Sequence, residues 1–182
     1  MGENVDAARV RACLAGDTHA FAGLVAEYEK PVYNVALRML RDPEDARDIA
    51  QTVFLKAWQN LSSYDPRYKF YSWIYRMAIN ESLNVLRTRA RTRGMEPLDE
   101  RLPTEDAGPP DLLDGNQVRG VVLDAIERLK PEHRAVIVLK YFVERDYEAM
   151  AEILDIDVKT VKSRLYTARQ LLKDRLATRG VL

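Results

Sequence analysis

Apolar residues recur at helical spacing through most of this chain, and no segment alternates convincingly at period two, so the sequence predicts packed helices and no sheet. The stretch that shows this most fully is DPEDARDIAQTVFLKAWQNL, Asp42 to Leu61. Asp42 offers a carboxylate to the free amides of a first turn, and Pro43 suits the first helical position. From there Ala46, Ile49, Ala50, Val53, Phe54, Ala57, Trp58 and Leu61 make one apolar stripe. A turn of about 100° per residue puts Asp48, Gln51, Leu55 and Gln59 on the opposite side. Leu55, ringed by those polar side chains, is either a small docking surface for another protein or a tolerated surface leucine.

A second helix is predicted from about Arg67 or Phe70 to about Arg87. Tyr71, Ile74, Tyr75, Ala78, Ile79, Val85 and Leu86 fall in one wide sector, the expected core side. Phe70, Trp73 and Met77 fall on the other, mixed with Arg76, Asn80 and Asn84. Aromatics among cations and amides suit stacking on unpaired bases while the backbone is held. The same pattern also fits a helix buried on both sides. Arg87, Arg89, Arg91 and Arg93 follow, able to complement a helix C-terminus or neutralise phosphates.

Before these helices lie a short amphipathic one, about Val5 to Leu14, and another capped by Asp17 or Thr18, with Pro31 kinking it or starting a further helix. The first half is therefore read as four or five helices ending near Arg93. Residues 94–117 differ. Pro97, Pro103, Pro109 and Pro110 interrupt them, and Glu96, Asp99, Glu100, Glu105, Asp106, Asp111 and Asp114 oppose only Arg101, the composition of an acidic flexible linker. Fully extended it reaches ~80 Å; relaxed it averages ~25–30 Å.

The helical pattern returns with Val118, Val121, Val122, Ala125, Ile126 and Leu129. Lys130-Pro131-Glu132 restarts the chain into Ala135, Val136, Leu139, Tyr141 and Phe142. Asp146 is the expected cap of a third helix, with Tyr147, Met150, Ala151, Ile153 and Leu154 facing inward. A tight turn at Asp155-Ile156-Asp157 leads to a fourth, Val158 to about Leu176. On that last helix Val158, Val161, Leu165, Ala168, Leu172 and Leu176 share a packing face. Lys159, Lys162, Ser163, Tyr166, Thr167 and Gln170 share the opposite one, flanked by Arg164 and Arg169. From Lys159 to Arg179 seven basic residues (159, 162, 164, 169, 173, 175 and 179) meet one acid, Asp174. A generic solvated helix carries both signs in closer balance, so this helix-turn-helix is read as entering a major groove.

DARDIAQTVFLKAW followed by FYSWIYRMAIN resembles region 2 of bacterial sigma-70-type initiation factors, and RLKPEHRAVIVLKYFVERDYEAMAEILDIDVKTVKSRLYTARQLLKD resembles their region 4. The short two-domain extracytoplasmic-function (ECF) form is the most similar. The resemblance implies an all-α protein of two small helical domains, region 2 over 1–93 and region 4 over 118–182, joined by the linker. It implies an alternative sigma factor that binds RNA polymerase core, directs it to promoters and promotes −10 melting. Asp48, Gln51, Leu55 and Gln59 are then expected on the clamp of the largest polymerase subunit. Tyr64, Tyr68, Lys69, Phe70, Trp73, Arg76 and Asn80 are expected on unpaired −10 DNA. Lys159, Lys162, Ser163, Arg164, Tyr166, Thr167 and Arg169 are expected on the −35 element. An anti-sigma factor is a further partner the family implies. Two positions depart from the family: Asp155 stands where glycine is usual in the turn, and Thr167 where many members carry a basic residue. A stand-alone helix-turn-helix regulator, binding duplex without polymerase, is the alternative.

Composition narrows the remaining classes. Twenty-eight basic and twenty-eight acidic residues cancel, so only their segregation points to a polyanion. Cys13 is the single cysteine, with His19 and His133 far apart, which leaves no internal disulfide and no Cys/His zinc cluster. No phosphate loop, metal-spaced cluster or nucleophile motif appears, so neither a catalytic residue nor a metal or other cofactor is expected. No run reaches the ~18–20 apolar residues of a membrane span, and the expectation is a reduced, cytoplasmic protein without membrane insertion.

Overall fold

The computed structural model describes residues 5–92 and 115–181, the side chains of 115 and 116 excepted. Among them there are helices and no strand: α1 (Val5–Leu14), α2 (Thr18–Leu40), α3 (Pro43–Gln59), a 3₁₀ turn (Leu61–Ser63), α4 (Phe70–Thr92), α5 (Gly115–Glu127), α6 (Pro131–Ile137), a π-helical turn (Val138–Phe142), α7 (Tyr147–Leu154) and α8 (Val158–Thr178). Two compact units form: one takes in the chain through Asn84, the other the chain from Val85 on, apart from the Glu152–Asp155 segment. Arg93 and most of the predicted linker lie outside the described residues.

The helix boundaries have local causes. Asp17 caps α2 by accepting from the amide of His19. Pro31 starts no new helix and lies within α2. Arg41 ends it in the left-handed conformation, φ 55°, with its N–H on the Leu37 carbonyl. Asp42 then caps α3 as predicted, Oδ1 accepting from Glu44 N at 2.9 Å and Asp45 N at 3.1 Å, with Pro43 in the first turn.

In the first unit α3 lies along α2, burying Ala46, Ile49, Ala50, Val53, Phe54 and Ala57. Leu24, Val32, Ala36 and Met39 of α2 and Phe70, Ile74 and Ala78 of α4 are fully enclosed. Ion pairs tie neighbouring helices: Arg9 of α1 meets Glu27 of α2, and Lys56 of α3 meets Glu81 of α4, each at 2.5 Å. Tyr28 donates to Asp6 at 2.7 Å; burial first, then that bond, holds its phenol well above its usual pKa.

In the second unit α6 and α5 pack against α8. Leu129, Val136, Val138, Leu139, Met150, Val161, Leu165 and Ala168 are enclosed. A buried arginine, Arg134, donates to the carbonyls of Glu127 and Leu129, occupying acceptors that the end of α5 leaves without intrahelical partners. Asp146 receives the Ala149 amide at 2.7 Å, as read from the sequence.

Candidate functional site

The outward side of α3 is as predicted: Asp48, Gln51, Leu55 and Gln59 are all exposed, Leu55 by 58%. Trp58 departs from the stripe that holds it in the sequence reading. It is 42% exposed, with its ring 5.0 Å from Phe21 in an edge-on arrangement. A groove of about 530 Å³ opens there between α2 and α3, lined by Phe21, Ala22, Val25, Ala26 and Trp58. A neighbouring hollow reaches Gln51 and Arg47. The small residues Ala22 and Ala26 on α2 are the sequence signal for this groove, which the reading of α3 alone missed.

Between α3 and α4 the candidate strand-binding residues separate into two groups. Tyr64 and Phe70 are core residues, 7% and 0% exposed. With Trp73 they form a three-ring cluster, centroids 5.5 Å apart for Tyr64–Phe70 and Tyr64–Trp73 and 5.6 Å for Phe70–Trp73. Burial raises the Tyr64 phenol above its usual pKa. Its Oη donates to the carbonyl of Tyr68 at 2.7 Å, pinning the loop. The outward placement of Phe70 is thus corrected. A wheel drawn for α4 cannot know that the preceding loop folds back over its first residue. Tyr68 (51% exposed), Lys69 and Asn80 do face outward, while Trp73 and Arg76 are half-buried. Within the loop Arg67 grips Asp65 at 2.6 Å and lowers its carboxyl pKa.

In the second half of the chain α7, a turn and α8 form the helix-turn-helix. Asp155 takes φ 55° in the turn, the left-handed conformation that aspartate tolerates better than most residues. Asp157 caps α8, accepting from the Thr160 amide and hydroxyl at 2.7 Å each. Those bonds, the hydroxyl first, hold its pKa below the usual carboxylate value. Val161, Leu165 and Ala168 are buried. Lys159, Lys162, Ser163, Tyr166 and Thr167 are all exposed, Tyr166 by 66%, and Arg164 is half-buried.

Arg169 is exposed, and its Nε donates to Tyr141 Oη at 2.7 Å with the guanidinium 5.7 Å from that ring. The apolar pattern placed Tyr141 and Phe142 on the second helix of this half. They are instead 51% and 41% exposed. The chain winds as a π turn there, Val143 N bonding Val138 O at 3.1 Å, and the wider turn rotates these rings off the apolar face.

A helix-turn-helix protein with a second helical unit is the class these features define. Residues 24–92 match the family model for Sigma-70 region 2, and residues 119–172 that for Sigma-70, region 4. The chain is 33% identical to the ECF RNA polymerase sigma factor SigW of Bacillus subtilis, over 92% of this chain and 95% of SigW. It is 31% identical to the ECF RNA polymerase sigma-E factor of Escherichia coli K12, over 88% of each. Among solved structures it is similar to CnrH in complex with the cytosolic domain of CnrY, at TM-score 0.72 and 25% identity over 95% of this chain and 97% of CnrH. The chain belongs to the sigma-70 family, as an ECF sigma factor. Its function is the family's, directing RNA polymerase in transcription initiation, and the region 2 match sets aside the stand-alone regulator.

Among the described residues no group of histidine, cysteine, aspartate and glutamate could hold a metal ion. No helix there is long and apolar enough to cross a membrane.

Proposed function

We propose that the two units divide promoter recognition between them, region 2 over 1–93 and region 4 over 118–182. The outward side of α3, with Leu55 at its centre, docks on the clamp of the largest polymerase subunit. Asp48, Gln51 and Gln59 form the polar rim that interfaces place around an apolar centre. Tyr68, Lys69, Trp73, Arg76 and Asn80 hold the unpaired −10 strand, with Tyr64 and Phe70 supporting Trp73 from inside. The exposed side of α8 enters the −35 major groove, where Lys162 and Ser163 read bases and Arg164 and Arg169 hold phosphates.

Melting on this reading needs no catalytic residue, since strand capture by stacking and backbone contacts offsets the lost base stacking. The protein acts where the polymerase is, in the cytoplasm. CnrH assembles with a protein partner, and we expect an anti-sigma factor for this chain too.

The observation that carries the proposal is the division of α8: a buried Val161–Leu165–Ala168 seam, and cations with hydroxyls exposed on the other side. Run-off transcription with core polymerase and a promoter library tests it. Selective initiation at promoters with paired −35 and −10 elements is the expected result. Initiation indifferent to the −35 sequence removes the α8 assignment.

A further inference from the structure

Tyr147, the first residue of α7, has two ammonium groups against its ring: Lys140 Nζ at 5.1 Å from the centroid and Lys162 Nζ at 5.4 Å. Both distances lie within the range of cation–π attraction. Lys140 comes from the π turn, where its Nζ also lies 3.4 Å from the carbonyl of Arg145. Lys162 comes from the second turn of α8, is exposed, and forms no ion pair among the described residues. Lys159, one turn earlier on the same face, has no such ring beside it among the described residues.

We propose that Tyr147 is a specificity-positioning residue: its ring holds the Lys162 ammonium in place so that this lysine selects −35 bases. The proposal rests on the reading of α8 as the −35-facing helix. Lysine is a point charge on a flexible stem, and a charge free to roam contacts phosphate as readily as a guanine edge. Base selection therefore needs the stem restrained. A carboxylate would restrain it but also compete with the base for the ammonium. An aromatic face restrains it without cancelling the charge, and Lys140 beside the same ring keeps Lys162 from settling deeper against it.

The experiment compares the full-length wild-type chain with Tyr147→Phe, Tyr147→Leu, Lys162→Ala and the Tyr147→Leu/Lys162→Ala double variant. Each drives transcription with core polymerase from a set of single-base −35 promoters. Tyr147→Phe keeps the ring and is expected to keep the wild-type ranking. Tyr147→Leu is expected to lose about two- to fivefold discrimination, the range for one solvent-exposed ammonium–ring contact, at the same positions as Lys162→Ala. The double variant should lose no more than Lys162→Ala alone. If Lys162→Ala flattens the ranking and Tyr147→Leu does not, the positioning role is overturned while the α8 reading stands. If Lys162→Ala changes nothing, the α8 reading falls and this inference with it. Proton NMR of the wild-type and Tyr147→Phe chains decides independently of how Tyr147→Leu folds. The Lys162 Hε resonances should lie upfield of those of Lys159 in both, and their absence from the upfield region overturns the proposal.

Discussion

Tyr68 and Phe70 are two residues apart, and their environments are opposite. Phe70 is enclosed by Tyr28, Tyr64 and Trp73, with the Tyr28 centroid at 5.4 Å. Phe70→Ala is expected to cost about 3–5 kcal/mol of stability, the range for a large aromatic lost from a core. Chemical denaturation followed by tryptophan fluorescence measures this, since Trp73 lies against the ring. Tyr68→Ala should leave stability nearly unchanged and weaken binding to single-stranded −10 DNA by about 1–3 kcal/mol, the value of one base stacked on an aromatic. Fluorescence anisotropy with a labelled non-template oligonucleotide provides the comparison. Equal losses of stability in the two variants would show that the loop around Tyr68 is structural rather than strand-binding.

At the scale of the element, α3 and α8 begin alike, each with an aspartate turned onto amides of its first turn. Asp42→Ala should destabilise the first unit by about 1 kcal/mol, the usual consequence of losing such a cap, read from denaturant midpoints. Asp157 adds a pH dependence. Its folded pKa lies below the unfolded one, so its contribution is fully present above the ordinary carboxylate value and is lost as pH falls through the lowered one. Asp157→Asn retains an acceptor but does not titrate. Melting temperatures measured from neutral pH into acid should therefore fall less steeply for Asp157→Asn than for the wild type. Identical profiles would show that the cap carries no titrating stabilisation.

For the whole molecule the relevant fact is charge segregation under a net charge of zero. Basic residues outnumber acids seven to one between Lys159 and Arg179, so promoter binding should weaken as salt rises despite overall neutrality. Arg169→Ala is expected to weaken all −35 variants alike and to reduce the salt slope by about one, provided Nη atoms left free by the Tyr141 bond reach a phosphate. Binding isotherms at several salt concentrations check this. Leu55→Asp and Asp48→Arg alter a surface away from the core and should leave stability within about 0.5 kcal/mol. Titration against core polymerase should nevertheless show weaker association for both. Normal affinity in both variants removes the docking role of this side of α3.

Periodicity and local helix-start signals by themselves determined the helical class, the caps Asp42 and Asp146, and the division of α3 and α8 into inward and outward faces. These are local properties: a side chain's angle about a helix follows from its position in the chain, and a cap is decided within three or four residues. The tight turn at Asp155-Ile156-Asp157 was legible for the same reason. Only the tertiary structure decided which rings are inside. Phe70 is covered by a loop that arrives from outside its own helix, and Trp58 is left exposed because α2 presents Phe21 and small alanines beside it. Tyr141 and Phe142 turn outward because a π turn shifts the register, a change of one residue that no wheel of fixed pitch anticipates. Tyr147 and Lys162, fifteen residues apart in the chain, meet because α7 and α8 cross at the turn between them, and contacts of that kind depend on how elements pack rather than on the pattern within either.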